Sequence, residues 1–329
     1  MAPLLDIRLG FIGLGAMGQP MARRLLDALP ATGQLVVYDV ATDAIDELAS
    51  SYPGRVYKAS SPGQVAERAE FIITMVPEGR HVELVYLGAD TGLVSTDLSK
   101  HTLVDCSTID MTTNRLVARQ LRTRFPTAKF FDAPVSGGVI GAEKGTLAIF
   151  LGCAESDSSY ESILGVLGIL GKQIIPCGGP SLGLATKLSN NYLSGLIAIA
   201  TSEALNMGMR AGLDPATLSR AFSAGTAQNA ICDRFNPVPG VVADAPSSKG
   251  YAGGFKVQLM RKDFALAVEL AKAVGAKLVL GDAGLNTYTA ASNDPMCHNL
   301  DSRVVYRYLG GEENWQQQVY EKNGGTSAS

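Results

Sequence analysis

The 329-residue sequence predicts an α/β N-terminal domain on a mainly parallel sheet, a long connecting helix and an all-helical C-terminal domain. Three observations carry that expectation. The first half alternates short β-branched runs with helical patterns of about ten residues, the signature of βαβ units. A Gly-x-Gly-x-x-Gly run separates the first strand pattern from the first helical one. From 182 to 211 no strand pattern interrupts, and thirty helical residues extend about 45 Å.

The strand patterns fall at 8–13, 35–39, 56–59, 71–76, 103–106, 130–133, 147–151 and 173–176, with helical patterns such as 17–28, 43–50, 80–86 and 112–122 between them. Gly178, Gly179 and Pro180 precede the long helix and Gly212 ends it; Asp214-Pro215 then reads as the N-cap and first residue of the next helix. Beyond it the patterns are helical to about 309, apart from one long loop over 225–254. The expected division is 1–180 for the sheet domain, 181–212 for the interdomain helix, 213–321 for the helical domain and 322–329 for a disordered Gly/Ser/Thr-rich tail. No internal repeat or coiled-coil heptad is evident.

Composition excludes several classes. The apolar fraction is 46% and the charged fraction 18%, against roughly 25% charged in typical soluble proteins, so global disorder is ruled out. Thirty-six glycines point to many tight turns. A net charge of -3 with no basic stripe argues against a nucleic-acid partner. Five scattered cysteines and three histidines (His81, His101, His298) form no metal-ligand or disulfide pattern, so neither a metal nor a disulfide scaffold is expected. The uncharged stretch 188–202 has 15 residues, short of the ~18 of a membrane span, and reads as a buried helix. The first residues offer no signal or transit pattern, so the chain as given is expected in the cytoplasm, or in the mitochondrial matrix if a presequence has been removed.

Gly13-Leu14-Gly15-Ala16-Met17-Gly18 has the context that a dinucleotide turn requires, a strand before it and a helix after it. The first glycine permits the tight turn, the second the approach of a pyrophosphate, and the third close packing of helix on strand. Asp39 follows 21 residues after Gly18, where a carboxylate accepts hydrogen bonds from a ribose diol. No basic residue follows Asp39 until Arg55, which favours NAD over NADP. The N-terminal domain is therefore expected to be of Rossmann type. The bland reading of Asp39 is a strand-ending residue that caps the next helix.

Asp132-Ala133-Pro134-Val135-Ser136-Gly137-Gly138, with Gly141-Ala142 and Gly145-Thr146-Leu147, resembles the substrate motif of the β-hydroxyacid dehydrogenases. Met75-Val76-Pro77 and Ser107-Thr108-Ile109-Asp110 resemble that family's cofactor loops, and Lys187-Leu188-Ser189-Asn190-Asn191 its catalytic helix. Asn236-Pro237-Val238-Pro239-Gly240-Val241, Gly253-Gly254-Phe255 and Lys262-Asp263 are similar to the branch that acts on 3-hydroxyisobutyrate. The resemblance implies that Val76, Pro77, His81, Thr108 and Lys262 contact the cofactor, and that Asp263 supports the contact between domains. It implies NAD-dependent oxidation of (S)-3-hydroxyisobutyrate to methylmalonate semialdehyde, a step of valine breakdown. The apolar connecting helix and the helical second domain suggest a dimer or tetramer.

Each motif also has a physical reading. Ser136-Gly137-Gly138 lies just past a strand, so its amides and hydroxyl suit a substrate carboxylate; the alternative is an ordinary glycine turn. Lys187 and Asn191 are four apart and share a helix face, as a proton-transfer lysine and an orienting amide. A surface lysine and a packing asparagine are the bland alternatives. Acid/base work at neutral pH requires a lysine brought from about 10.4 toward ~7–8, which burial and nearby positive charge promote. Ser107-Thr108 alternatively caps the following helix, and Lys262-Asp263 alternatively forms a solvated ion pair at the start of its helix. Cys106 lacks a local histidine and is not expected to be a nucleophile.

The chain departs from the family pattern at Ser181 (usually glycine), Leu184 (usually glutamine) and His81 (usually asparagine), and 226–231 lacks an aromatic. The last departure leaves tartronate semialdehyde, 4-hydroxybutyrate or a serine-like compound open as substrates. A non-catalytic dinucleotide-binding scaffold and an imine-reducing relative are disfavoured, because such proteins tend to lose the lysine found here at 187.

Overall fold

The computed structural model describes residues 8–317. The expected tail at 322–329 lies outside them. By internal contacts the chain forms two units, residues up to Leu188 and residues from Ser189 onward.

The first unit opens with five βα steps and a sixth strand: β1 (Leu9–Ile12), α1 (Gly18–Ala28), β2 (Leu35–Tyr38), α2 (Thr42–Ser51), β3 (Val56–Lys58), α3 (Pro62–Arg68), β4 (Phe71–Thr74), α4 (Gly79–Leu87), β5 (Thr102–Asp105), α5 (Met111–Arg124) and β6 (Lys129–Asp132). These strands make one all-parallel sheet in the order β3-β2-β1-β4-β5-β6. β1 and β4 are buried along their whole length, which is why both read as continuous apolar runs. A second sheet joins β7 (Val135–Ser136), β8 (Leu147–Leu151) and β9 (Gly171–Pro176), with α6 (Gly138–Lys144) and α7 (Tyr160–Leu170) between. β7 runs antiparallel to β8, and β8 parallel to β9. Sequence periodicity gives no sign of β7, since two residues cannot display an alternation. Phe11, Leu25, Ile73, Val104, Leu147 and Ile163 belong to one continuous buried cluster spanning both sheets.

α8 (Leu182–Arg210) follows and crosses the division between the units. It is not buried all round, as its apolar composition suggests. Leu184, Leu188, Asn191, Ala198, Ser202 and Leu205 form the buried stripe, whereas Leu193 and Met207 are 58% and 71% exposed. Ser189, Asn190 and the charged Glu203 are exposed as well.

The second unit continues with α9 (Pro215–Ala224), α10 (Ala230–Arg234), α11 (Val257–Ala273), α12 (Gly281–Asn293) and α13 (Val305–Tyr308). Asp214 caps α9 by accepting from Thr217 N at 2.8 Å, with Pro215 at its first turn as expected. The segment read as one long loop contains α10 and a 3-10 turn, Pro246–Lys249. Gly195 lets Phe264 lie against α8, since a Cβ there would sit 3.0 Å from the ring. Phe264 in turn packs on Tyr192 and Tyr288, with ring centroids 4.9 and 5.7 Å away.

Candidate active site

The glycine turn leaves β1 between β2 and β4, where the strand order reverses and a crevice opens at the carboxyl ends of the strands. Gly13 has φ +96°, and a Cβ on it would lie 2.2 Å from Met75 O. A Cβ on Gly18 would lie 1.8 Å from Gly13 O, so the third glycine is fixed by helix–turn packing. A Cβ on Gly15 would meet nothing within 4 Å. Leu14 is buried, Gly15 and Ala16 are exposed, and Met17 is half-buried. Gly13 and Gly18 thus shape the turn, and Gly15 leaves its outer surface open.

Asp39 stands one residue past β2. Its Oδ2 accepts from Leu14 N, and its Oδ1 accepts from Ala41 N at 2.7 Å. The carboxylate is therefore tied to the glycine turn itself, whereas α2, with Ala41 at its N-cap, has no side-chain cap. The next loops are tied together too: Val76 N donates to Ser107 Oγ at 3.0 Å, and Ser107 N donates to Asp105 Oδ1 at 3.0 Å. Ser107 and Thr108 do not cap the following helix. Asp110 does, accepting from Thr113 N at 2.7 Å, because its position directly before α5 aims the carboxylate at the third amide. Pro77 is exposed and Thr108 half-buried. His81 lies in the first turn of α4, and its Nδ1 is buried with no hydrogen-bond partner among the described residues. These groups line the carboxyl ends of β1, β2, β4 and β5, and the open surface over Gly15 fits a dinucleotide pyrophosphate.

Cys106 is fully buried, and burial pushes its thiol well up, so it is no nucleophile. Asp105, missed in the sequence, is fully buried with Oδ2 unpartnered; burial pushes its carboxyl up to about 7. It pairs in register with Asp132 of the neighbouring strand. Both close an apolar strand with a carboxylate, a pattern visible in the sequence but shared with ordinary surface strand ends.

Ser136 ends β7, and Gly137 and Gly138 follow at φ +138° and +63°. Both torsions lie where side chains are strained, which explains the glycine pair. Gly137 is exposed; Ser136 and Gly138 are half-buried. A Cβ on Gly138 would meet nothing within 4 Å, so its space is also open.

Ser181 holds φ +64°, the left-handed conformation that suits the family's usual glycine. Here the serine hydroxyl donates to Asn114 Oδ1 at 2.7 Å in a fully enclosed position, which offsets the backbone cost. Leu184, in place of glutamine, is entirely buried.

Lys187 and Asn191 stand one turn apart on α8, each only 6% exposed, so neither is a solvated surface residue. Asn191 Nδ2 donates to Asp263 Oδ2 at 2.6 Å, and its Oδ1 accepts from Asn190 Nδ2 at 3.1 Å. Asp263 is 2% exposed and lies 3.3 Å from Lys262 Nζ. The pair sits inside α11, more than a turn from its start at Val257, because the helix begins before the charged residues. It is not a solvated ion pair, since its carboxylate is enclosed. Among the described residues no group of three or more His, Cys, Asp or Glu is placed to hold a metal ion.

The parallel sheet, its glycine turn and the acidic residue beyond β2 define a dinucleotide-binding oxidoreductase. Residues 8–179 match the family described as the NAD binding domain of 6-phosphogluconate dehydrogenase. Residues 182–309 match that described as the NAD-binding domain of NADP-dependent 3-hydroxyisobutyrate dehydrogenase. The chain is 39% identical over 307 residues to 3-hydroxyisobutyrate dehydrogenase of Pseudomonas aeruginosa, covering 93% of this chain and 99% of that one. It is 38% identical over 302 residues to a probable mitochondrial 3-hydroxyisobutyrate dehydrogenase of Dictyostelium discoideum, covering 91% and 90%. A solved structure of Mycobacterium tuberculosis 3-hydroxyisobutyrate dehydrogenase with L-serine superposes with a TM-score of 0.81 at 32% identity, covering 92% of this chain and 99% of that one. The chain belongs to the 3-hydroxyisobutyrate dehydrogenase family of β-hydroxyacid dehydrogenases, oxidoreductases that act on CH–OH donors.

Proposed function

We propose that this protein oxidises (S)-3-hydroxyisobutyrate to methylmalonate semialdehyde, with NAD as acceptor and Lys187 as the acid/base group. The observation that carries the reading is the burial of Lys187 in α8, one turn from a fixed asparagine. Bound NAD supplies the hydride acceptor. Lys187 Nζ takes the hydroxyl proton as the carbinol carbon becomes a carbonyl, and returns it in the reverse direction. Asn191, held by Asp263, presents its amide to the substrate oxygen or to the lysine. Ser136 and the amides of Gly137 and Gly138 hold the substrate carboxylate, where open space lies over Gly138. Lys262 serves as a cofactor contact on the strength of the family resemblance.

The preference for NAD over NADP rests on Asp39. Its carboxylate is held at the end of β2 by two backbone amides, and a 2′-phosphate beside it would be repelled. The family description that names NADP makes this preference worth testing directly. A serine-like substrate is the second reading, favoured by the relative solved with L-serine. The valine-breakdown role follows from the first substrate. We further read the protein as a dimer or tetramer, since Leu193 and Met207 expose large side chains on α8. No helix among the described residues is long and apolar enough to cross a membrane. Its compartment is proposed as the cytoplasm or the mitochondrial matrix, the latter being the location named for several relatives.

Reduction of NAD and, separately, NADP is followed at 340 nm with (S)-3-hydroxyisobutyrate, its enantiomer, L-serine, glycerate and 4-hydroxybutyrate. The reading predicts the highest kcat/KM for the first acid with NAD. A preference for L-serine moves the substrate to the second reading, and turnover only with NADP overturns the role of Asp39.

A further inference from the structure

We propose that Asp132 is a positioning residue for the chemistry of Lys187: it accepts the opening amides of α8 and so sets that helix against the strand leading to the Ser136-Gly137-Gly138 turn. The inference rests on the reading of Lys187 given above and extends it to the residue that opens the substrate motif.

A helix leaves its first amides without intrahelical partners, and a nearby side-chain oxygen normally takes one of them. In α8 the first helical bond runs from Ala185 N to Ser181 O, which places Ser181 at the N-cap. Serine is a capping residue type, yet its left-handed backbone and its bond to Asn114 turn the hydroxyl away. The acceptor comes from the sheet instead. Asp132 Oδ1 accepts from Ser181 N at 2.7 Å, and Oδ2 accepts from Leu184 N at 2.8 Å. Both oxygens of one carboxylate are thus committed to one helix end, which constrains its direction as well as its register.

Two glycines make room for this arrangement. A Cβ on Gly152 would lie 2.0 Å from Asp132 Oδ1, and one on Gly183 would lie 2.8 Å from Oδ2 and 2.2 Å from Phe150 O. Gly152 N also donates to Asp132 O at 2.7 Å, so the aspartate is gripped through its backbone as well. From this point the chain reaches Ser136 in four residues. Lys187 lies five residues beyond Leu182, about 7.5 Å along the helix axis. Asp132 is the fixed point from which both the proposed carboxylate cradle and the proposed acid/base group are measured. A misplacement of about 1 Å between such groups lowers turnover on the order of 10²-fold.

The test is a double-mutant cycle on the full chain, with Asp132→Asn and Lys187→Ala singly and together. The asparagine keeps one acceptor oxygen but points an NH₂ at the second amide. NADH affinity is read by fluorescence, and kcat and KM by oxidation of (S)-3-hydroxyisobutyrate and of L-serine. We expect Asp132→Asn to lower kcat about 10- to 100-fold, with KM within about threefold and NADH affinity within about twofold of wild type. We also expect it to cause no further loss once Lys187 is alanine. A purely architectural role would lower activity by the same factor on both backgrounds, and that result overturns the proposal. So does an Asp132→Asn enzyme of wild-type kcat, which leaves the role of Lys187 standing if Lys187→Ala is inactive. Full activity of Lys187→Ala overturns the parent reading instead. Should Asp132→Asn not be recovered folded, Asp132→Ser, with one hydroxyl for the same amides, is read identically. If neither variant binds NADH, Asp132 holds the fold rather than the site and the proposal is lost.

Discussion

Asn191 Nδ2 and Asp263 Oδ2 lie 2.6 Å apart, a charge-assisted hydrogen bond between two buried side chains 72 residues apart in sequence. The bond decides which way the asparagine points. With Nδ2 committed to the carboxylate and Oδ1 taken by Asn190, the side chain has one amide hydrogen left to offer. Asp263→Ala removes the orienting acceptor and leaves an enclosed amide without it. A hydrogen bond to a charged group contributes about 1.5–3 kcal/mol, so kcat should fall roughly 10- to 100-fold while NAD affinity changes little. Steady-state kinetics with NAD titrations check this, and unchanged kcat would detach Asn191 from the chemistry.

The glycines of the dinucleotide turn should respond differently to the same added methyl. Gly18→Ala forces a Cβ to within 1.8 Å of Gly13 O, so the helix must move and the melting temperature should fall by several degrees. Gly15→Ala meets no protein atom within 4 Å. It should melt like the wild type yet bind NAD at least tenfold more weakly, because the methyl enters space kept for the pyrophosphate. Thermal melts with and without NAD separate the two effects.

Asp39 makes a cofactor prediction of its own. Asp39→Ala removes the proposed ribose acceptor and releases Leu14 N. The apparent Kd for NAD should rise about 10- to 100-fold, with kcat at saturating NAD within about twofold of wild type. Discrimination against NADP should shrink together with it, as calorimetry with both dinucleotides would show.

Asp105 gives the fold a pH dependence whose sign is fixed by burial. Enclosure, and the neighbouring Asp132 carboxylate, raise its carboxyl from 3.8 to about 7 against the opposing Ser107 hydrogen bonds. The folded state therefore holds a proton that the unfolded chain has already lost at pH 5. Stability falls as pH rises toward 7 and levels off above it. From pH 5 to pH 8 the loss from this group is about 3 kcal/mol, two pKa units at about 1.4 kcal/mol each. Asp105→Asn keeps the acceptor for Ser107 N without the titration, so its urea-unfolding stability relative to wild type should improve by that amount over the interval. A constant difference between the two proteins at pH 5 and pH 8 would contradict the assignment.

The parallel sheet was legible because its strands are buried on both faces and read as apolar runs separated by helical periods. The second sheet was only half legible: β8 stands out as a five-residue run, whereas β7 is too short to show a period. α8 was readable in length but not in burial, since large apolar side chains such as Leu193 and Met207 stand exposed on it. Among the candidate residues, the glycine turn and Asp39 could be read from spacing, because the local geometry of a βαβ unit fixes them. Asp105 and Asp132 could not. Their consequence depends on register between strands and on a helix that starts some fifty residues later. Ser181 looked like a loss of the family's glycine, and its compensation through Asn114 exists only in the folded chain.

The role of Lys187 is tested most directly by comparing wild type and Lys187→Ala in turnover of (S)-3-hydroxyisobutyrate at saturating NAD, with NAD affinity measured on the same samples. General acid/base catalysis contributes about 10²–10⁴-fold, so the variant should lose that much in kcat while its Kd for NAD stays within about twofold. A variant that binds NAD normally and turns over within threefold of wild type would contradict the account.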